Sequence, residues 1–265
     1  ALAPGDHMVT IAPTFQAYRR HAQLLGATAH EVALDPNRDF ALPVEAIIAK
    51  AAEQRAKLVV VCAPNNPTGT VFSPEDLGRI AAGCDALVMI DEAYAEFCRQ
   101  DLHPLLAAHD NVVSVHTFSK AFGLAGARIG YALAAPAVAA ELQKLVTVFT
   151  LSPFSEAAAI VALEHFDRFE QSIDRLIAER DRLAAGLAAL PGVRVYPSGA
   201  NFLLTRLGGP AKAAQDHLLH THRLLVSEVS GYPGFENFLR VSAGTPQQND
   251  LVVSALADFV AQPAT

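Results

Sequence analysis

The feature that most constrains this chain is a recurring short run in which nearly every residue is apolar or β-branched, closed by a turn-forming cluster. Five such runs precede residue 135: HMVTIAP (7–13), KLVVVCAP (57–64), ALVMID (86–91), VVSVHTF (112–118) and RIGYALA (128–134). A strand with one wet face alternates polar and apolar residues, whereas a strand without alternation is covered on both faces, as in a parallel sheet flanked by helices. The stretches between the runs supply those helices. LPVEAIIAKAAEQR and SPEDLGRIAAG carry helical apolar spacing, and Ser73, Pro74 and Asp76 make a good helix start. The order strand, helix, strand predicts an α/β fold.

From Ser155 to Leu190 the pattern reads as helical throughout, until Pro191-Gly192 stops it. Such a helix can bridge two domains. Beyond it, VRVYP, ANFLLTRL, a helix from about Pro210, RLLVSEV, FLRVSAG and a final helix from Gln247 predict a small α+β domain. The expected division is a large domain over 1–167 and a small one over 168–265. The opening ALAPGDHMVTIAP has no initial methionine and reads as the tail of a helix, a turn and a strand. The expectation is therefore a large domain without its N-terminal part.

Composition excludes several function classes. With 265 residues, 51% hydrophobic, 18% charged and mean hydropathy +0.24, the chain can bury a sizeable core. Its net charge of -7, with Lys and Arg scattered, argues against nucleic-acid and acidic-membrane partners and for a small-molecule substrate. Asp, Glu, Arg or Pro interrupts every apolar run, so no membrane span is expected. Cys62, Cys84 and Cys98 have neither disulfide nor zinc spacing, which fits a reducing cytoplasm. His217, His220 and His222 lie close together without an HExxH pattern, read as a solvated helix end, and no metal is expected.

Candidate chemistry gathers where strands end. HTFSKAFGLAGARIG (116–130) sets Lys120 among small and apolar neighbours, with no other charge before Arg128. VVVCAPNNPTG turns sharply at Asn65, Asn66, Pro67 and Gly69, and open α/β sheets bind ligands at the carboxyl ends of their strands. LVMIDEAYAEF delivers Asp91 at the end of an apolar strand, with Tyr94 three residues on. Each has a plainer reading. Asp91 could cap a helix, Phe15 and Tyr94 could be ordinary core aromatics, and Arg128 could merely begin a strand.

Taken in order, NNPTG, DEAY and TFSKAFGLAGARIG resemble the fold type I pyridoxal-phosphate aminotransferases, most of all the histidinol-phosphate aminotransferase group. The likeness runs on to NFLLTRL and FLRVSAGT near the end. It implies a mainly parallel, seven-stranded-type large-domain sheet, pyridoxal 5'-phosphate as cofactor, an amino donor and a 2-oxo acid as substrates, and a homodimer. Lys120 would carry the cofactor aldehyde as a Schiff base, which needs an amine that is neutral part of the time. Asp91 would keep the pyridine nitrogen protonated, so that the ring acts as an electron sink. Asn66 and Tyr94 would bond the phenolic oxygen. Thr117, Ser119 and Arg128 would hold the phosphate, and Phe15 would stack on the ring where the family has a tyrosine. Arg240 would grip the substrate carboxylate or phosphate. The second basic residue of the histidinol-phosphate branch is absent here, Ser227 and Glu228 standing at or near its position. Histidinol phosphate with 2-oxoglutarate is the first expectation. The alternatives are another amino-acid or aromatic donor, decarboxylation of a phosphoamino acid, or a cofactor-binding module without turnover.

Overall fold

The computed structural model describes residues 2–147 and 150–261. Its first half alternates β1 (His7–Ala12), α1 (Ala17–Leu24), β2 (Thr28–Ala33), α2 (Val44–Glu53), β3 (Leu58–Cys62), α3 (Pro74–Gly83) and β4 (Leu87–Asp91). Two short helices follow, α4 (Ala95–Cys98) and α5 (His103–Ala108), then β5 (Val112–Thr117) and β6 (Gly130–Ala134). These strands form one sheet in the order β2-β1-β3-β4-β5-β6, with every pairing parallel except β5 with β6. Among the described residues the sheet has six strands of the seven-stranded pattern, and β6 is an edge.

The apolar runs of the central strands β1 and β3 are covered on both faces, whereas the run that forms the edge strand β6 is largely exposed. β3 and β4 bury Val59, Val61, Val88 and Ile90 against Ile47, Leu77 and Ile80 of α2 and α3. Each such side chain contributes roughly 1.5–3 kcal/mol through burial. Ser73 caps α3 by accepting the Asp76 N–H at 3.0 Å, with Pro74 in the first helical turn.

The second half holds α6 (Pro136–Gln143), α7 (Pro153–Glu164), α8 (Phe166–Ala188), β7 (Arg194–Val195), β8 (Phe202–Arg206), α9 (Ala211–His222), β9 (Ser227–Glu228), β10 (Phe238–Ser242) and α10 (Pro246–Val260). A four-stranded sheet, β7-β8-β10-β9, is antiparallel throughout. The continuous helix expected over 155–190 is two helices. His165, at φ -115 and ψ 33, leaves the helical conformation and separates α7 from α8. The strand expected in RLLVSEV shortens to two residues, because the chain leaves α9 through Arg223 in the left-handed region at φ 56. At the other end, Leu2 and Ala3 are not helical but lead into a turn at Pro4-Gly5.

An aromatic cluster fastens the smaller sheet to the larger. Phe40 packs on Tyr196 with ring centroids 4.8 Å apart, and Phe235 packs on Phe238 at 4.6 Å, all inside the core that holds β1, β3 and β4. Strand order reverses direction at β1, which has β2 on one side and β3 on the other although β3 follows β2 in the chain. In open α/β sheets such a switch point opens a crevice beyond the carboxyl ends of the strands. The loops after β1 and β3 carry Phe15 and Asn66 into it.

Candidate active site

Four parallel strands deliver the site: β1 leads to Thr14 and Phe15, β3 to Asn65 and Asn66, β4 ends on Asp91, and β5 leads to Ser119 and Lys120. Fully buried Asn65 ties two of these loops together. Its amide donates to the Pro13 carbonyl and the Thr68 hydroxyl, both at 2.9 Å, and its carbonyl accepts from Thr14 Oγ1 at 2.8 Å. With all its polar atoms engaged, Asn65 is a fixed strut, and its neighbour Asn66 lines the cavity. Gly69, at φ 76, has no room for a side chain, since a Cβ there would lie 2.3 Å from Ser198 Oγ.

Asp91 lies deep in the site. Its Oδ1 accepts the Ala93 N–H at 3.0 Å and its Oδ2 accepts the Tyr18 hydroxyl. Burial pushes its pKa up, while Tyr18, the Ala93 N–H and the Lys120 amine pull the other way. Lys120 is half-buried, its Nζ 5.5 Å from the centre of the Tyr94 ring. Burial, then the positive charges of Arg240 and Arg128, hold its amine below the ordinary lysine pKa, and Asp91 opposes them. One amine thus feels Asp91, Arg240 and Arg128 together, although these residues are far apart in sequence. Burial also pushes the Tyr94 phenol up to about 12 and its ring meets Phe202 edge-on at 5.2 Å.

Beside the lysine, Thr117 Oγ1 lies 2.9 Å from Ser119 Oγ and accepts the Ser119 N–H at 3.1 Å, which places two hydroxyls side by side. Arg128 is exposed in the left-handed region at φ 52, its Nη1 donating to the Ala125 carbonyl at 3.0 Å. Arg240, on β10, donates from Nη1 to Asn66 Oδ1 at 2.8 Å and so joins the two sheets. Its Nε is buried without a partner among the described residues. Phe15 is 48% exposed and meets Tyr18 edge-on at 5.6 Å. Ser227 faces Arg240 across the β9–β10 ladder.

A cavity of about 610 Å³ opens between α1 and the β9–β10 side, lined by Phe15, Arg20, Asn66, Ser227, Glu228 and Arg240 among others. Tyr18 is absent from the sequence reading, yet it touches Asp91. Its signal was available, since it shares the inner face of α1 with Ala22, four residues on. His217 and His222 lie at the end of α9 with ring centroids 5.3 Å apart, and the Nε2 of each is buried, not solvated. Among the described residues no group of three or more His, Cys, Asp and Glu is placed to hold a metal, and no helix is long and apolar enough to cross a membrane.

The donor set is specific in its chemistry: an amine of lowered pKa, a buried carboxylate, a phenol, paired hydroxyls beside an arginine, and an exposed aromatic face. A ring with an aldehyde, a basic nitrogen, a phenolic oxygen and a phosphate needs each of these groups, so the residues fit pyridoxal phosphate. Residues 1–256 match the family described as aminotransferase class I and II. The chain is 39% identical over 259 residues to histidinol-phosphate aminotransferase of Roseiflexus castenholzii, covering 97% of this chain and 69% of that protein. Its fold is similar to histidinol-phosphate aminotransferase of Sinorhizobium meliloti, solved in complex with pyridoxal-5'-phosphate, with TM-score 0.90, 28% identity, and 98% and 72% of the two chains covered. It is also similar to L-threonine-O-3-phosphate decarboxylase of Porphyromonas gingivalis, with TM-score 0.83, 25% identity, and 97% and 78% covered.

Proposed function

The chain belongs to the aminotransferase class I and II family and is a pyridoxal-phosphate-dependent aminotransferase, and from that premise we propose that its amino donor is histidinol phosphate and its acceptor 2-oxoglutarate. The observation that carries the donor is Arg240. Its guanidinium stands at the junction of the two sheets, fixed by Asn66 at 2.8 Å and open to a cavity of about 610 Å³. That arrangement suits an amino donor that carries an anionic group beside the reacting carbon.

When bound, the cofactor supplies an aldehyde that exchanges the amino group and a ring that accepts electrons. Lys120 is the residue it attaches to, and the same amine, kept partly neutral by burial and by Arg240 and Arg128, takes and returns the proton at the substrate Cα. Asp91 holds the proton on the pyridine nitrogen. Asn66 and Tyr94 bond the phenolic oxygen, Thr117, Ser119 and Arg128 bind the phosphate, and Phe15 covers one face of the ring. Arg240, oriented by Asn66, grips the anionic end of the donor. On this reading residues 1–167 form the cofactor-binding domain and 168–265 the small domain, with the donor held across their junction.

A homodimer belongs to the same proposal. Exposed apolar residues on and around α6 and α7, including Leu145, Val146, Phe154 and Val161, offer surface for a second copy. A cytoplasmic location is supported by the free thiols of Cys62, Cys84 and Cys98. The donor is tested by half-reaction kinetics with histidinol phosphate, phenylalanine and phosphothreonine. Histidinol phosphate should give the highest kcat/KM. A preference for phenylalanine, or CO2 release from phosphothreonine, would replace this donor with another.

A further inference from the structure

The cavity beside Arg240 is bounded on its far side by α1, and α1 brings a second guanidinium to it. We propose that Arg20 is a specificity-determining residue that binds the phosphate of the amino donor jointly with Arg240, taking the place of the cation that Ser227 does not provide. This rests on the reading of the donor as a phosphate ester.

The wall chemistry carries the argument. The charged side chains lining the cavity are Arg20, Arg240 and Glu228, with His21 next to Arg20. Arg240 alone is poorly equipped for a dianion, because its Nη1 already bonds Asn66 and its Nε is buried. Ser227, opposite Arg240 in the ladder, offers one hydroxyl. Glu228 adds a negative charge to the same wall, its Oε2 accepting the Ser230 N–H at 2.8 Å. Arg240 and Glu228 together leave that wall without net charge, so a phosphate there requires another cation.

Arg20 is the cation available. It is exposed, lines the cavity, and makes no ion pair with any described residue. Its neighbour Arg19 points elsewhere, to Glu31 at 3.6 Å. Successive helical residues diverge by about 100°, so one arginine of the pair serves β2 and the other the cavity. Arginine suits the task, since its planar fork donates two parallel bonds to phosphate and stays charged at every working pH.

The test uses the cofactor-loaded enzyme and two donors, histidinol phosphate and histidinol. The ratio of their kcat/KM values isolates the phosphate. Arg20→Ala should lower that ratio about 10- to 100-fold, the range for losing a charge-assisted bond, chiefly through KM, because Arg20 would touch the phosphate and not the reacting Cα. Arg20→Lys should restore part of it. Ser227→Arg should rescue the Arg20→Ala variant strongly and improve the parent enzyme much less, since only the former lacks the second cation. Calorimetric titration with inorganic phosphate should show the same order of affinities without turnover. An unchanged donor ratio and unchanged phosphate affinity in Arg20→Ala, while Arg240→Ala collapses both, would overturn the assignment. A parent enzyme that does not distinguish the two donors would overturn it by a different route, through the phosphorylated donor itself, and that outcome is visible before any substitution.

Discussion

Asp91 and Glu92 are consecutive carboxylates that leave the end of β4 on opposite sides, and the two sides receive them differently. Asp91 meets the Tyr18 hydroxyl, the Ala93 N–H and the positive charge of Lys120. Glu92 faces a second cavity, of about 520 Å³, shared with Glu96, Asp101, Glu170 and His116. There its partner is the neutral Ser114 hydroxyl, which also lies 2.7 Å from His116 Nε2. His116 supplies little charge, since burial holds its pKa down while its ring stacks on Tyr131 at 4.6 Å. Arg99 and His103 line the same cavity, where Arg99 is paired with Glu170 and Asp174 of α8 and His103 is bonded to Asp101. Burial therefore pushes carboxylates up on both sides of the sheet; on one side a lysine amine is among the groups that oppose it, and on the other the Ser114 hydroxyl and, after it, only the His103 ring. A site that must hold a charged carboxylate can be told from a pocket that merely contains carboxylates by what opposes burial.

The largest expected effect breaks the comparison by removing the charge on the catalytic side. Asp91→Asn keeps the shape and abolishes the anion proposed to hold a proton on the pyridine nitrogen. Transamination should fall at least about 10³-fold, on the order of 4 kcal/mol in the barrier. Borohydride reduction in the presence of pyridoxal phosphate should still label the Lys120 peptide and not those of Lys50, Lys57, Lys144 or Lys212. Near-normal turnover in Asp91→Asn would remove the distinction between the two sides.

A smaller effect belongs to the other cavity. Burial pushes Glu96 from its ordinary 4.5 up to about 7, and its Oε2 has no hydrogen-bond partner among the described residues. An acid whose folded pKa is raised contributes stability fully below its unfolded pKa and loses it as pH rises through the folded value. The protein should therefore lose stability from about pH 4.5 to about pH 7 by up to roughly 3 kcal/mol on this group's account. Glu96→Gln, permanently uncharged, should flatten that part of the denaturation-versus-pH curve and be the more stable form above neutrality. Parallel curves for the two proteins would show that Glu96 ionises freely.

How much of this was legible in the sequence depends on the range of the interaction. The runs that became β1, β3, β4 and β5 announced themselves, because coverage on both faces leaves little alternation to confuse, and the run of β6 was as apolar although three of its five residues are exposed at the edge of the sheet. β2 did not announce itself. None of its residues is buried, His30 and Glu31 among them, because it is an edge strand bonded only to β1. The Ser73 cap was readable as a local hydrogen bond, whereas the break at His165 has no Pro, Gly or side-chain cap to mark it. In the candidate site, Lys120, Asp91 and Asn66 stand at strand ends that the pattern marks. The Asn66 bond to Arg240 spans 174 positions and the Tyr18 bond to Asp91 spans 73. Both depend on how sheets and helices pack, which no local pattern records.

The smallest effect sharpens the comparison by making the Lys120 side more like the other. Tyr18 donates to Asp91 Oδ2 from the buried face of α1, and the contact favours the ionised carboxylate. Tyr18→Phe leaves the ring in place beside Phe15 and Met8 and removes one donor. The Ala93 N–H and Lys120 remain, so Asp91 keeps part of its support and the loss should be near 1.5 kcal/mol, about tenfold in kcat/KM. The sign of the pH effect is fixed: with one fewer bond to the charged form, the Asp91 pKa rises further and the acidic limb of the kcat/KM profile moves to higher pH. A purely structural role for Tyr18 would lower thermal stability without moving that limb. An acidic limb in Tyr18→Phe that superimposes on the parent's would mean that Asp91 is held charged by Lys120 and its own backbone contact alone.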